Sequence, residues 1–147
     1  MSTGRPWFGR RVKQGAVLYL ALEKVRVTRK RFRAMQLLNS GIRPPIAVSA
    51  GPVDLTQSRD VNAVIATASA MAARGDPVRL IVVDTLNRAF GGEDENSAGI
   101  VGKAFNALTR IAIETNACIF LLHHNSKNRQ QLRGSTAIVA SADVVIR

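Results

Sequence analysis

The chain contains two histidines, and they are adjacent: His123 and His124 close the apolar run "ACIFLL". Two other apolar runs also stop at groups able to do chemistry. "AVLYLAL", 16–22, runs into Glu23, and "LIVV", 80–83, runs into Asp84 and Thr85. A carboxylate at the end of an apolar strand can hold Mg²⁺, usually through water. A second carboxylate on a neighbouring strand can activate an attacking water, and a polar residue on a third can sense a γ-phosphate. On parallel strands the three ends lie side by side, at the carboxyl edge where open α/β sheets bind ligands. A metal site made by the histidine pair alone is disfavoured. Neighbours on a strand point to opposite faces, and no cysteine or acidic residue adjoins them. A core histidine with satisfied hydrogen bonds remains the plainer alternative for each ring.

Positioning these groups requires strands alternating with helices. The 16–22 run has no alternation of polar and apolar residues, as expected for a strand buried on both faces. Residues 24–38 place Val25, Thr28, Phe32, Met35 and Leu38 at helical spacing on a very basic helix, ended by Gly41 and Pro44-Pro45. "IAVSA", 46–50, reads as a second strand. A helix starting near Ser58 or Asp60 puts Val61, Val64, Ile65 and Ala68 on one face, until Gly75, Asp76 and Pro77 break it. "RLIVVDTL", 79–86, is the clearest buried strand and is followed by the acidic, glycine-rich "GGEDENSAG". A helix over 97–115 carries Ile100, Val101, Ala104, Phe105, Leu108, Ile111 and Ala112 on one stripe. "ACIFLL" is the next strand, and "ADVVIR" at the end starts another. This order implies βαβ units and a mainly parallel sheet flanked by helices, in one domain spanning 1–147.

Composition bounds the partners. The 147 residues include 21 Lys and Arg against 10 Asp and Glu, a formal net charge of +11 that favours polyanions, nucleic acid first. The apolar share of 46% suits a packed core rather than a disordered tail. No apolar run is long enough to span a membrane and no signal segment follows the basic N-terminus, so a cytoplasmic location is expected. The single cysteine, Cys118, allows no intramolecular disulfide and reads as inert core. Trp7 reads as packing under or beside the first strand rather than as a base-stacking platform. The charge run "KVRVTRKRFR" reads first as a solvated helix face, with a DNA or subunit contact as its rival.

Together, "LIVVDTLNRAFGGEDENSA", "LLHHNSKN", "LRGSTAIVASAD" and "WFGRRVKQGAVLYLALE" resemble the RecA-like hexameric helicases of the plasmid replication RepA type and their phage and mobile-element relatives. The resemblance runs from about Trp7 to Arg147. It implies a RecA-like P-loop ATPase fold, ATP and Mg²⁺ as ligands, single-stranded DNA as partner and a homo-oligomeric ring. It maps the metal-side Asp onto Asp84, with Mg²⁺ held through water, and the water-polarising Glu onto Glu23. It maps the nucleotide sensor onto His124, with His123 in reserve, and an arginine finger onto Arg133. The loop carrying Lys127 and Arg129 would touch the DNA backbone.

One element of that family has no counterpart in the chain. The phosphate-binding loop G-x-x-x-x-G-K-[ST] should lie between a strand and a helix. "GRPWFGRR", 4–11, has the glycine spacing but Arg-Arg in place of Lys-Ser, and "GIVGKA", 99–104, lies within a helical stripe. The resemblance implies that the true loop, with its strand and helix, lies upstream of Met1, and that the chain is a partial RecA-like domain. A non-catalytic module that binds nucleic acid or supports assembly is the alternative. A further departure is Lys24 and Val25 after Glu23, where relatives often have an acidic or small residue and Gly.

Overall fold

A computed structural model describes residues 4–38, 45–124 and 136–146. Four strands, β1 (Ala16–Ala21), β2 (Ile46–Val48), β3 (Val78–Asp84) and β4 (Cys118–Leu122), form one sheet in the order β2-β1-β3-β4. Every pairing is parallel. Helices α1 (Val25–Leu38), α2 (Ser58–Ala73) and α3 (Ala98–Thr115) alternate with the strands, and a short α4 (Ala137–Ala140) follows. This is an α/β core of the RecA-like kind. Residues 4–15, ahead of β1, contain a tight turn and neither strand nor helix.

The strand order locates the functional crevice. The chain leaves β1 for β2 on one side, then crosses back past β1 to lay β3 on the other. The connections therefore part between β1 and β3, and such a switch point opens a crevice beyond the carboxyl ends of those two strands. The register runs from Val17 beside Leu80 to Ala21 beside Asp84, and β4 continues it with Leu122 beside Asp84.

The two sheet faces are covered unequally. Leu18, Leu20, Ile81 and Val83 project toward α2 and α3 and form one core with Val61, Val64, Ala68, Val101, Ala104, Leu108 and Ile111. These are the helical stripes expected from spacing. Each of the Val, Leu and Ile side chains among them contributes about 1.5–3 kcal/mol on burial, so this face carries most of the apolar stabilisation. The opposite face holds Tyr19, Val82 and Asp84, and α1 meets it edge-on through Phe32, whose ring lies 5.3 Å from that of Tyr19. No residue of α1 is fully buried. Met35 and Leu38, placed on its apolar stripe by spacing, are exposed, and the cations face water as a solvated helix face does.

Some expectations are corrected. β4 is an edge strand whose uncovered face leaves Cys118 exposed and Phe120 partly exposed, so Cys118 is not core. Trp7 does not pack under β1 but stands in solvent. Residues 142–146 form no strand: Val144 and Ile146 are exposed, and the sheet ends at β4 among the described residues. The segment after β3 is a 3₁₀ turn, Leu86–Phe90, with Leu86, Ala89 and Phe90 fully buried, rather than two more strand residues and a loop.

That turn is tied to the approach to α2. Leu55 donates its amide to the Ala89 carbonyl at 2.8 Å, and the Asp54 carboxylate accepts from the Thr56 amide and hydroxyl. Gly91 ends the turn at φ +63°, and a Cβ there would collide with the Asp54 carboxylate. Gly92 has φ +94° but open space around it. Gly91→Ala is therefore expected to lower stability by more than about 1 kcal/mol, and by more than Gly92→Ala, in denaturant unfolding. Equal losses would show that backbone strain alone matters and that the Asp54 contact does not.

Candidate functional site

The carboxyl ends of β1 and β3 are fastened to each other. The amides of Leu22 and Glu23 both donate to the Asp84 carbonyl, at 2.7 and 3.3 Å. Glu23 therefore leaves β1 directly beside Asp84. His123 and His124 follow Leu122, which is registered against Asp84 on the far side. Asp84, Glu23 and His124 thus stand on one edge of the sheet at the ends of neighbouring strands, as the ends of the apolar runs implied. Thr85 is buried beneath them, and the Asp84–Thr85 peptide bond is cis.

Each carboxylate has a holder that sequence reading missed. The Tyr19 hydroxyl donates to Asp84 Oδ2 at 2.6 Å. Burial first, then this bond and the Asp84 charge, push the Tyr19 phenol well above the ordinary tyrosine range, against a smaller opposing effect of Arg31. It therefore remains a donor and fixes one oxygen of Asp84. Two residues along β1 from Ala21, Tyr19 shares the sheet face of Asp84 by strand alternation, which is the signal that could have found it once the register was known. Arg88 Nε donates to Glu23 Oε1 at 3.0 Å. This bond, with the charges of Arg88, His124 and Lys24, holds the Glu23 carboxyl below the usual range, and burial opposes it. Arg88 sits in the 3₁₀ turn, one helical turn past Asp84.

The Thr85 hydroxyl has one proton. It is directed at Asn87 Oδ1 in a short bond, while Glu23 Oε1 lies at 3.5 Å, a distance of proximity rather than bonding. Lys24 takes a positive φ of +35° as the chain turns from β1, and its carbonyl accepts the first amides of α1.

The fit to a magnesium nucleotide is partial. Asp84 and Thr85, with Glu23 adjacent, provide the oxygen donors that a hydrated Mg²⁺ takes. Among the described residues, no group of three or more His, Cys, Asp or Glu could cage a metal by itself. Among the described residues, no loop is formed that could grip the β- and γ-phosphates. "GRPWFGRR" folds as an exposed turn, and "GIVGKA" lies inside α3. Lys127, Arg129 and Arg133 lie outside the described residues. No helix among the described residues is long and apolar enough to cross a membrane.

The Glu23–Arg88 pair gives a direct titration. A depressed folded pKa stabilises the fold above the ordinary glutamate range, near pH 4.3, and that contribution is lost as pH falls through the depressed value. Arg88→Ala is expected to move the Glu23 carboxyl back up toward its ordinary range in an NMR titration. The cost in stability at neutral pH should stay below about 1 kcal/mol, because the Arg88 side chain is 64% exposed and water screens the pair. An unmoved Glu23 titration would show that Arg88 does not hold it.

The family model described as AAA domain matches residues 1–130. Neither a curated protein nor a solved structure matches the chain. With 130 of 147 residues covered by that one model, the chain belongs to the AAA domain family, a group of ATPase-like, nucleotide-using domains.

Proposed function

We propose that the chain carries the catalytic edge of a RecA-like ATPase domain of the replicative DNA helicase type, acting on single-stranded DNA in a homo-oligomeric ring. The observation that supports this best is that Glu23 and Asp84 meet at the switch-point crevice between β1 and β3, with His124 just past the end of the adjoining β4. In this reading Asp84, oriented by Tyr19, holds the water shell of Mg²⁺, and Thr85 lines the same corner. Bound Mg²⁺ would neutralise charge developing on the transferred phosphoryl group. Glu23, kept ionised by Arg88, orients the attacking water. His124, with His123 in reserve, reports the phosphate state to the loop that follows β4, where Lys127 and Arg129 contact DNA phosphates. Arg133 reaches the phosphate of a neighbouring subunit.

A specific observation favours a second reading for the 147-residue polypeptide. Phosphoryl transfer depends on positioning and charge stabilisation, and the described residues form no nest of backbone amides with a lysine to grip the phosphates. Lys103 lies on α3 and cannot substitute. A non-catalytic module with a RecA-like shell, binding nucleic acid or serving assembly, fits that composition.

The experiment is hydrolysis. The 147-residue chain is expected to turn over Mg-ATP no faster than its Asp84→Ala variant. Fusing a strand and a G-x-x-x-x-G-K-[ST] loop ahead of it should yield activity that Asp84→Ala abolishes. Mg-dependent turnover by the unfused chain, lost in Asp84→Ala, would reveal a phosphate-binding element elsewhere. Turnover by the fusion that survives Asp84→Ala would refute the role of this edge.

The DNA arm is tested separately. Lys127→Ala with Arg129→Ala is expected to weaken single-stranded DNA binding and to flatten the log–log salt dependence by about 0.7 per lost phosphate contact. Unchanged affinity and slope would remove that loop from the interface.

A further inference from the structure

The tight turn ahead of β1 leaves two aromatic rings in water. Trp7 and Arg10 exchange backbone hydrogen bonds, each 3.0 Å, around Phe8 and Gly9. Phe8 has φ +47° and Gly9 φ +72°, two successive left-handed residues as in the tight turns of β-hairpins. The geometry forces the Phe8 side chain outward. Phe8 is 85% exposed and Trp7 61% exposed, and their rings meet edge to face at 4.8 Å. Arg5, Arg10, Arg11 and Lys13 flank them and are exposed, and the first acidic residue of the chain is Glu23.

We propose that this turn is a binding site for single-stranded nucleic acid. Trp7 stacks on an unpaired base, Phe8 braces the indole edge-on, and the flanking cations hold the phosphates on either side. The chemistry selects this partner. An aromatic face beside guanidinium groups binds bases and backbone together, with little sequence preference. In a duplex the base faces are already stacked, so only the phosphates would remain to be held. An anionic membrane is the less suitable surface, because interfacial segments present a continuous apolar face and here two rings are enclosed by cations. The turn leads into Ala16, at the amino end of β1, whereas Asp84 marks the opposite, carboxyl edge. The site is therefore separate from the nucleotide edge and does not depend on the ATPase reading.

Trp7 is the only tryptophan in the chain, so its fluorescence reports the contact directly. The full chain is titrated with oligothymidylate, with an abasic oligomer of equal length, with duplex DNA and with phosphatidylserine vesicles. Oligothymidylate is expected to quench Trp7, while the abasic oligomer and the duplex bind more weakly and leave its emission unchanged. Trp7→Ala should weaken oligothymidylate binding about 10-fold, measured by anisotropy of a labelled oligomer, with an unchanged far-UV circular dichroism spectrum. Replacing Arg5, Arg10, Arg11 and Lys13 by Gln should flatten the salt dependence while Trp7 still quenches at saturation. Lys127→Ala with Arg129→Ala should leave the Trp7 quenching amplitude intact, which separates this site from the loop after β4. Equal affinity for the abasic oligomer with unchanged emission would overturn the proposal in favour of charge alone. A blue shift on vesicles without a response to oligothymidylate would overturn it in favour of a membrane contact. A concentration-dependent blue shift insensitive to nucleic acid would overturn it in favour of self-association.

Discussion

The Asp84 carbonyl, taking the amides of Leu22 and Glu23, is the joint on which the site depends. Because β1 and β3 are parallel and in register to their last residues, the two chains leave the sheet at the same level. The backbone bonds then hold the exits together. Tyr19 reaches Asp84 only because strand alternation puts both on one face: Ala21 is registered against Asp84, and Tyr19 lies two residues before it on β1. Arg88 reaches Glu23 only because the chain after Asp84 tightens into a 3₁₀ turn whose apolar residues are drawn into the core. A slip of one residue in this register would turn Asp84 to the α2/α3 face and strand a carboxylate in the apolar core.

The unequal faces of the sheet explain the remaining surface. Stability is concentrated where α2, α3 and the 3₁₀ turn meet the sheet, and the largest fully buried side chain, Phe90, sits there, just past the acidic edge. The other face is met by α1 at its Tyr19 end and is open at β4. Site geometry is thus braced from the packed side, while the cations of α1 and of the N-terminal segment stay in water. That division suits a positively charged chain, because mutual repulsion among exposed cations is relieved by solvent, salt or a polyanion.

Much of this was legible in the sequence. Runs of β-branched residues ending in Asp84, and of apolar residues ending in Glu23 and His123, marked the strands and the polar residues at their ends, since a strand buried on both faces has to be apolar throughout. The stripes of α2 and α3 gave the core face. What was not legible depends on tertiary placement. Cys118 and Phe120 look like core because they are apolar, but an edge strand with one bare face exposes them. Trp7 looks like packing for the same reason, and only the turn geometry lifts it away. Leu86 and Phe90 look like a strand end and a loop because five residues are too few to show a period. Tyr19 and Arg88 carry no local mark of their roles; both act across more than 60 residues of sequence.

The proposed role of the edge formed by Asp84, Glu23 and His124 is to face a metal-bound nucleotide. Paramagnetic broadening by Mn²⁺ with ATP, read residue by residue in NMR spectra of the 147-residue chain, measures this at low affinity. Broadening is expected to centre on Thr85, Glu23 and His124, to spare Ala16 and Val78 at the amino edge and to be lost in Asp84→Ala. Broadening centred on the amino edge, or unchanged by Asp84→Ala, would contradict it.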